Sequence, residues 1–389
     1  MIAPWEFGSE FHWPFIADAT AGPILPAESV LFASGRDAIR AIIATGRRVR
    51  GWRRWFVPTY FCEEVTAAIA ATGIEVVRYE DSPLRPAPPP LTKATKPGDA
   101  LLLVNYFGLR EAEAADAIDI GPADLIEDHT HDPWSRWALE SRAPYCVASL
   151  RKTLPIPGGA TVWSPRRLTL PDQAPPTRAR HDAVLMKLGA MMLKALYLEG
   201  HAVGKESYRA LQLSGEEGIA SGDISGLDPL AAQMLACLPW ELWRRQRRAN
   251  HAVLAEALRE IPGIEVLPSS ADGGSCPFSV IARFATPELR DSVRTGLIAE
   301  AMYPTILWPI SSKGEPELAE AACLAERMLA LACDMRYDQA DLARVAEAVL
   351  RANARYGDAV GPRRHSVAVI CPPPHSQTGL THGNRPISR

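Results

Sequence analysis

Residues 145–163 read YCVASLRKTLPIPGGATVW. An apolar run from Tyr145 to Ala148 stops at Ser149. A cationic pair follows at Arg151 and Lys152, and the chain then turns through Pro155, Pro157, Gly158 and Gly159 into a second apolar run. A lysine in that place has two readings. It is the solvated end of a strand, as most lysines are. Or it is held at the rim of a sheet for covalent chemistry, where burial or a neighbouring cation lowers its pKa and frees the lone pair.

Working outward, the flanking sequence alternates strand-like and helix-like pieces. RWFVP (54–58), IEVVRY (74–79), ALLLVNYFG (100–108), ADLIED (123–128), PYCVAS (144–149) and ATVWS (160–164) read as strands. SGRDAIRAIIAT (34–45) and CEEVTAAIAATG (62–73) read as helices, the first with Ser34 as a possible N-cap and the second closed by Gly73. This alternation predicts an α/β fold with a mostly parallel sheet. A helical region follows. Residues 181–200 are apolar almost all round, as suits a buried or interface helix, and residues 239–263 form a long helix. From about 264 short strands (IEVL, FSVIARF) and helices at 287–301, 315–333 and 339–356 predict a smaller C-terminal domain. The expected organisation is a large domain over 1–238, a small one over 239–360, and a tail over 361–389 expected to be disordered for want of large apolar residues.

The composition sets limits. The chain has 389 residues, 47% of them hydrophobic, enough to bury a sizeable core. A net charge of −3 gives no field favouring nucleic acid or an anionic membrane surface. No segment reads as a signal peptide or as a membrane span. Seven cysteines without a CxxC pair suggest buried, reduced thiols and a cytoplasmic protein.

Three stretches fall at strand ends, where open α/β sheets bind ligands. In SGRDAI (34–39), small residues before a helix let backbone N–H groups and the helix dipole receive an anion, and Arg36 adds a charge. An ordinary capped helix is the alternative. In IEDHTHD (126–132), Asp128 follows an apolar strand directly, so a buried carboxylate there needs a cationic or hydrogen-bonding partner, and the protonated ring nitrogen of a cofactor would serve. His129 and His131 would point the same way from a strand and permit a metal, but no third and fourth ligand of fitting spacing is apparent and no metal is expected. The third stretch holds Ser149 and Lys152. A phosphate cradle, an acid for a ring nitrogen and a Schiff-base lysine are together what pyridoxal phosphate requires.

These stretches resemble the DegT/DnrJ/EryC1/StrS family of pyridoxal-phosphate enzymes, mostly sugar aminotransferases. The likeness runs from about Phe32 to Tyr356. It is carried by SGRDAI, VPTYFCEEVTAAIAATGIEVV (57–77), NYFG (105–108), LIEDHTHD (125–132), SLRKTLPIPGGA (149–160), RRQRRANHAVL (244–254) and CPFSVIARF (276–284). The resemblance implies an aspartate-aminotransferase-like architecture (fold type I), a homodimer, pyridoxal 5'-phosphate as cofactor, and amino transfer from a donor such as glutamate to a keto sugar nucleotide or related acceptor. By position it implies Lys152 as the Schiff-base lysine and Asp128 at the pyridine nitrogen. It puts Ser34, Gly35, Arg36 and Ser149 near the phosphate, His131 beside the ring, and Tyr60 or Phe61 stacked on it, although the alignment puts Cys62 at that place. The sequence also departs from the pattern. Arg36 replaces a hydroxyl residue, Asn105 stands where His is common, and ASGDISGLDPLAAQML (220–235) lacks the Asn and Arg of a GxNxRxSExQAA-type segment. That segment keeps elimination, replacement or racemisation on an amino acid open as an alternative; a non-catalytic protein on the same scaffold is a further one, against which Lys152 and Asp128 argue. The basic clusters RRVRGWRR (47–54) and RRQRR (244–248) read as solvated or inter-subunit faces.

Overall fold

The computed structural model describes residues 3–14, 16, 22, 23, 25, 26, 28–269 and 274–360. Seven strands, β1 (Val30–Phe32), β2 (Arg54–Pro58), β3 (Glu75–Tyr79), β4 (Asp99–Val104), β5 (Asp124–Asp128), β6 (Tyr145–Ala148) and β7 (Ala160–Trp163), form one sheet in the order β1-β7-β6-β5-β4-β2-β3. The strands β3, β2, β4, β5 and β6 run parallel, and β7 is antiparallel to both its neighbours, β6 and β1. The strands β4, β6 and β7 are buried along their whole length, as a sheet covered on both faces requires.

The helices on and beside this sheet are α1 (Gly35–Val49), α2 (Glu63–Ala70), the short α3 (Glu113–Asp116) and α4 (Arg136–Glu140), α5 (Arg178–Leu198), α6 (Lys205–Ala220) and α7 (Pro229–Leu235). α1 is amphipathic, and its Ile39, Ile42 and Ile43 pack in one core with Trp55, Val57, Leu102, Val104, Val147 and Val162 of the sheet. α5 and α6 form an antiparallel hairpin at its side. Asp228 caps α7, so the departed 220–235 segment does end in a helix.

The C-terminal part holds α8 (Trp240–Arg259), β8 (Ile264–Val266), β9 (Val280–Phe284), α9 (Pro287–Ala299), α10 (Ala319–Ala325), β10 (Met328–Leu331) and α11 (Gln339–Val360). Its sheet is antiparallel in the order β10-β9-β8. Leu254 and Leu258 of α8, Val293 and Leu297 of α9, and Val345 and Val349 of α11 share a second core. Phe7 is in that core, bridged to Met302, while Trp13 N donates to the Met191 carbonyl of α5 at 3.0 Å, so the start of the chain touches both bodies. Conversely, α10 packs into the core of the large sheet.

Two sequence expectations need correction. The helix expected over 315–333 is a 3-10 turn (Pro316–Leu318), the short α10 and then β10, which pairs with β9 through Leu329↔Ala282. A fully buried strand and a buried helix give the same apolar run. The cysteines are not all buried and reduced. Cys146, Cys276 and Cys333 are buried and free, Cys62 is half-buried, Cys237 is exposed, and Cys323 is disulfide-bonded. Among the described residues no helix is long and apolar enough to cross a membrane. The expectation for 361–389 lies outside the described residues.

Candidate active site

The carboxyl ends of the parallel strands converge on one cavity, lined among others by Gly35, Asp128, Thr130, His131, Ser149 and Lys152. The cradle begins at α1. Ser34 is its N-cap: the hydroxyl accepts from Asp37 N at 3.2 Å and donates to Asp37 Oδ2 at 2.8 Å. That hydroxyl is therefore engaged in capping, though Ser34 still lines the cavity. The first N–H groups of a helix have no partner within it, and the residues that carry the first two, Gly35 and Arg36, line the cavity. A Cβ at Gly35 would lie 3.1 Å from Ser149 Cβ, so glycine keeps the space between the helix end and Ser149 clear. Asp37 is tied to Arg180 of α5 at 3.0 Å, which fixes the helix start against the hairpin.

Asp128 closes β5, the central strand. Its Oδ1 accepts from Thr130 N at 2.8 Å, and among the described residues it has no ion pair. Burial raises its pKa above the usual carboxylate range, while the Thr130 hydrogen bond opposes the shift. The two histidines part company here. His129 turns to Glu127 (Nε2 to Oε2, 3.0 Å) and packs on Trp137, in a buried cluster with Cys146 that Ser141 also hydrogen-bonds. His131 lines the cavity. The shared direction expected from a strand is not kept because the strand ends at Asp128 and the chain turns. His131 Nδ1 accepts from Phe107 N at 3.1 Å, which puts the ring proton on Nε2. Burial, then the charge of Lys152, lowers its pKa to about 3, so the ring is neutral.

Lys152 ends a 3-10 turn (Leu150–Lys152) that follows β6. Leu150 N donates to the Gly159 carbonyl at 2.9 Å, and Gly159 N to that of Ala33 at 2.8 Å, which fastens the turn to the cradle. Gly159 has φ +137°, and a Cβ at Gly158 would lie 3.0 Å from the Ala33 oxygen. The glycine pair is thus required by the turn's approach to residue 33. Solvent reaches Lys152 through the cavity mouth, although protein crowds its amine. This crowding, then the adjacent Arg151, lowers its pKa. Among the described residues the Lys152 amine has no hydrogen-bond or ion-pair partner. Its neighbours do: Arg151 forks onto Glu216 (2.6 and 2.8 Å), Lys187 joins Glu216 at 3.0 Å, and Arg36 reaches Glu64 at 3.3 Å and Glu216 at 3.9 Å. Burial opposes ionisation of Glu216, but Arg151 and Lys187 bring its pKa down to about 2.

Of the three stacking candidates, Phe61 and Cys62 line the cavity. Tyr60 does not. It is wholly buried, with its hydroxyl donating to the Leu307 carbonyl at 3.1 Å. Trp308, which the sequence reading missed, lines the cavity next to Phe61 and His131 (ring centroids 5.5 and 5.6 Å away). Its backbone is left-handed, with φ +59°, an uncommon state for a bulky residue.

A larger chamber of about 460 Å³ adjoins the first, sharing His131, Lys152 and Trp308 with it. Its outer wall is residues 8–11, held by Arg336 (Nη1 to Ser9 O, 2.7 Å), Lys194 (to Ser9 Oγ, 2.7 Å) and Lys187 (to Glu10, 3.1 Å). Arg247 also lines it. RRQRR therefore splits: Arg245 and Arg248 are exposed as expected, but Arg247 is buried and Arg244 pairs with buried Asp132 at 2.9 Å. The helical spacing of Trp243, Arg247, Asn250 and Leu254 was the signal available for this. RRVRGWRR pairs within the chain, Arg50 with Asp124 and Arg54 with Asp99, each at 2.6 Å.

No family model matches the sequence, and no curated protein matches it. Solved structures do match. A DegT DnrJ EryC1 StrS aminotransferase from Brucella abortus is 15% identical with TM-score 0.51, over 82% of this chain and 84% of that one. NtdA from Bacillus subtilis, with bound cofactor PMP, is 13% identical with TM-score 0.52, over 84% and 73%. DesI, in the presence of its TDP-sugar product, is 18% identical with TM-score 0.52, over 86% and 83%. The fold is that of the fold-type I pyridoxal-phosphate aminotransferases.

Proposed function

We propose that this chain is a pyridoxal-phosphate-dependent aminotransferase, with a keto sugar nucleotide or related biosynthetic intermediate as acceptor. One observation carries the reading: an unpartnered lysine of lowered pKa faces the same cavity as a buried carboxylate without a cation and a helix N-terminus kept clear by glycine. That donor set fits the cofactor. Ser149 and the N–H groups at Gly35 and Arg36 would hold the phosphate. Asp128 would supply the counter-charge for the pyridine nitrogen, and neutral His131 and Trp308 would flank the ring. When bound, the cofactor supplies an electron sink for the carbon that loses a proton. Lys152 would be the attachment point, and its Nζ, once free, would take that proton and return it. Arg151 stays on Glu216, which keeps Lys152 as the one free amine at this spot.

DesI, a protein of the same fold analysed in the presence of its TDP-sugar product, supports a sugar-nucleotide acceptor. A homodimer belongs to the proposal, supported by the apolar side chains that α5 and α6 leave exposed, Leu185, Met192, Leu196 and Leu213 among them. A cytoplasmic location is favoured by the five free cysteines and opposed by the disulfide at Cys323.

The test is spectroscopic. Wild type mixed with pyridoxal phosphate is expected to develop a visible band that borohydride abolishes, and Lys152→Ala to develop none. Glutamate is expected to bleach the band. A wild type without a band would sink the cofactor reading, and a band indifferent to every amino donor would sink amino transfer.

A further inference from the structure

On the face of the large sheet turned away from Asp128, three side chains that can ligate a metal meet under α4. Glu127 of β5 and Cys146 of β6 are register partners, so their side chains stand side by side. His129 carries the ladder one step past β5, its N–H donating to the Val147 carbonyl at 2.8 Å, and falls on the face of Glu127. Glu127 Oε2 lies 3.0 Å from His129 Nε2 and 3.7 Å from Cys146 Sγ, and the three ligand atoms are all within 4.8 Å of one another. Ligand atoms on a tetrahedral zinc stand about 3.3–3.8 Å apart, so small shifts bring this set to that spacing. Ser141 Oγ is a fourth donor at hand, 2.6 Å from Glu127 Oε2 and 3.3 Å from Cys146 Sγ. Glu127, His129 and Cys146 are each at most 1% exposed, with Trp137 and Trp163 packed on the imidazole and Ala138, Ala143 and Ala148 closing the wall. Among the described residues the Glu127 carboxylate pairs with no lysine or arginine. A carboxylate, an imidazole and a thiol gathered in such surroundings are costly to bury, and a divalent cation relieves the cost. None of the three lines the cavities around Lys152. The partners of His129 thus come from its own strand and the next one, not from His131.

We propose that Glu127, His129 and Cys146, with Ser141 as fourth donor, form a structural zinc site. Carboxylate, imidazole and thiolate are donors that zinc takes, and an enclosed set with no open position holds a structural ion, not a catalytic one. On loading, the thiol proton leaves to solvent and the imidazole proton passes from Nε2 to Nδ1, the ring nitrogen that has no partner in the chain. The two charges of Zn²⁺ then balance the carboxylate and the thiolate, so the buried site is neutral. Nothing is oxidised or reduced. The cover is α4, five residues at the surface with Leu139 60% exposed, and its opening gives the ion a way in. Once bound, the ion fastens the end of β5 to β6, directly behind Asp128, and these are the strands that lead into Asp128 and the Lys152 turn.

The test uses the full chain, stripped with a chelator and then titrated with Zn²⁺ against a chromophoric competitor, with Co²⁺ as a spectroscopic probe. Wild type is expected to bind one zinc per chain and to melt at a higher temperature with it. Its cobalt form is expected to show a thiolate charge-transfer band. Cys146→Ser is expected to bind zinc at least about a hundredfold more weakly and to lose the cobalt band, and Glu127→Gln to bind about tenfold more weakly or worse with the band kept. Glu127→Gln retains an acceptor for Ser141 and His129, so it decides the matter should Cys146→Ser fail to fold. Wild-type zinc affinity in either folded variant overturns the proposal, because the ion is then held elsewhere. A wild type that takes up no zinc overturns it, as does a cobalt form without the thiolate band. Zinc that binds without raising the melting temperature overturns the structural role.

Discussion

Two serines face the cradle and do different work. Ser34 has its hydroxyl engaged with Asp37 in the α1 cap, whereas the described hydrogen bonds of Ser149 run through its backbone, the N–H donating to Thr130 Oγ1 and the carbonyl accepting from Lys152 N. Ser34→Ala is expected to cost about 1 kcal/mol of stability with cofactor affinity nearly unchanged. Ser149→Ala is expected to do the reverse and weaken cofactor binding about tenfold. Urea unfolding and a cofactor titration on both variants check this, and equal effects on both readouts refute it. Glu216 acts on Lys152 from a distance, since its negative charge raises the lysine's pKa. In Glu216→Gln that support is gone, so Lys152 should react with pyridoxal phosphate at lower pH than in wild type. A pH profile of attachment that stays put or moves upward contradicts the coupling. His131 gives a stability signature. The unfolded imidazole titrates near 6.5, but in the fold the ring stays neutral down to about pH 3. Between those values the unfolded chain takes a proton that the folded chain refuses, so stability falls as pH drops. In His131→Gln, whose amide oxygen still accepts from Phe107 N, the loss between pH 6.5 and about pH 5 should shrink by roughly 2 kcal/mol. Buried His12 and His251, with pKa values lowered to about 4, keep their own share in both proteins. Urea midpoints at the two pH values measure the difference.

At the scale of elements, the turn after Lys152 is the best-determined piece of the site. A methyl group at Gly159 would meet Ile156 Cδ1 at 3.0 Å and sit on a backbone with φ +137°. Gly159→Ala is expected to lose about 1–3 kcal/mol and to disturb Lys152, since residues 150 and 159 share a hydrogen bond. A variant with wild-type stability and cofactor attachment would show that the turn can relax. This turn was legible because prolines and glycines between two apolar runs admit few backbones. The parallel strands were legible for a related reason: RWFVP is a strand from Arg54 to Pro58, as read. β10 was not, because MLAL in an alanine-rich stretch has no period that separates a buried strand from a helix. The far wall of the site was also hidden. Glu216, Arg247 and Trp308 come from α6, α8 and a loop, and nothing local in the sequence ties them to Lys152. Only packing of the two cores brings them there.

The α5–α6 hairpin bears on the molecule as a whole. On its inner side α5 presents Ala183, Val184, Lys187 and Met191, with Lys187 and Met191 lining the chamber. On its outer side Met192 is 54% exposed and Leu213 of α6 is 61% exposed. In the proposed dimer a second copy of the same hairpin would cover these outer side chains, since the hairpin is self-complementary under a twofold axis. Pairing there would stiffen the helices that hold Lys187 and Glu216, and so would couple assembly to the site. Wild type is expected to sediment as a dimer, and the double variant Met192→Glu, Leu213→Glu as a folded monomer, because two new carboxylates would face their own copies across the axis. The amino-transfer rate should fall in that monomer as the hairpin that carries Lys187 and Glu216 loosens. A wild-type protein that sediments as a monomer refutes the pairing. A double variant that remains a dimer moves the interface to another face of the molecule.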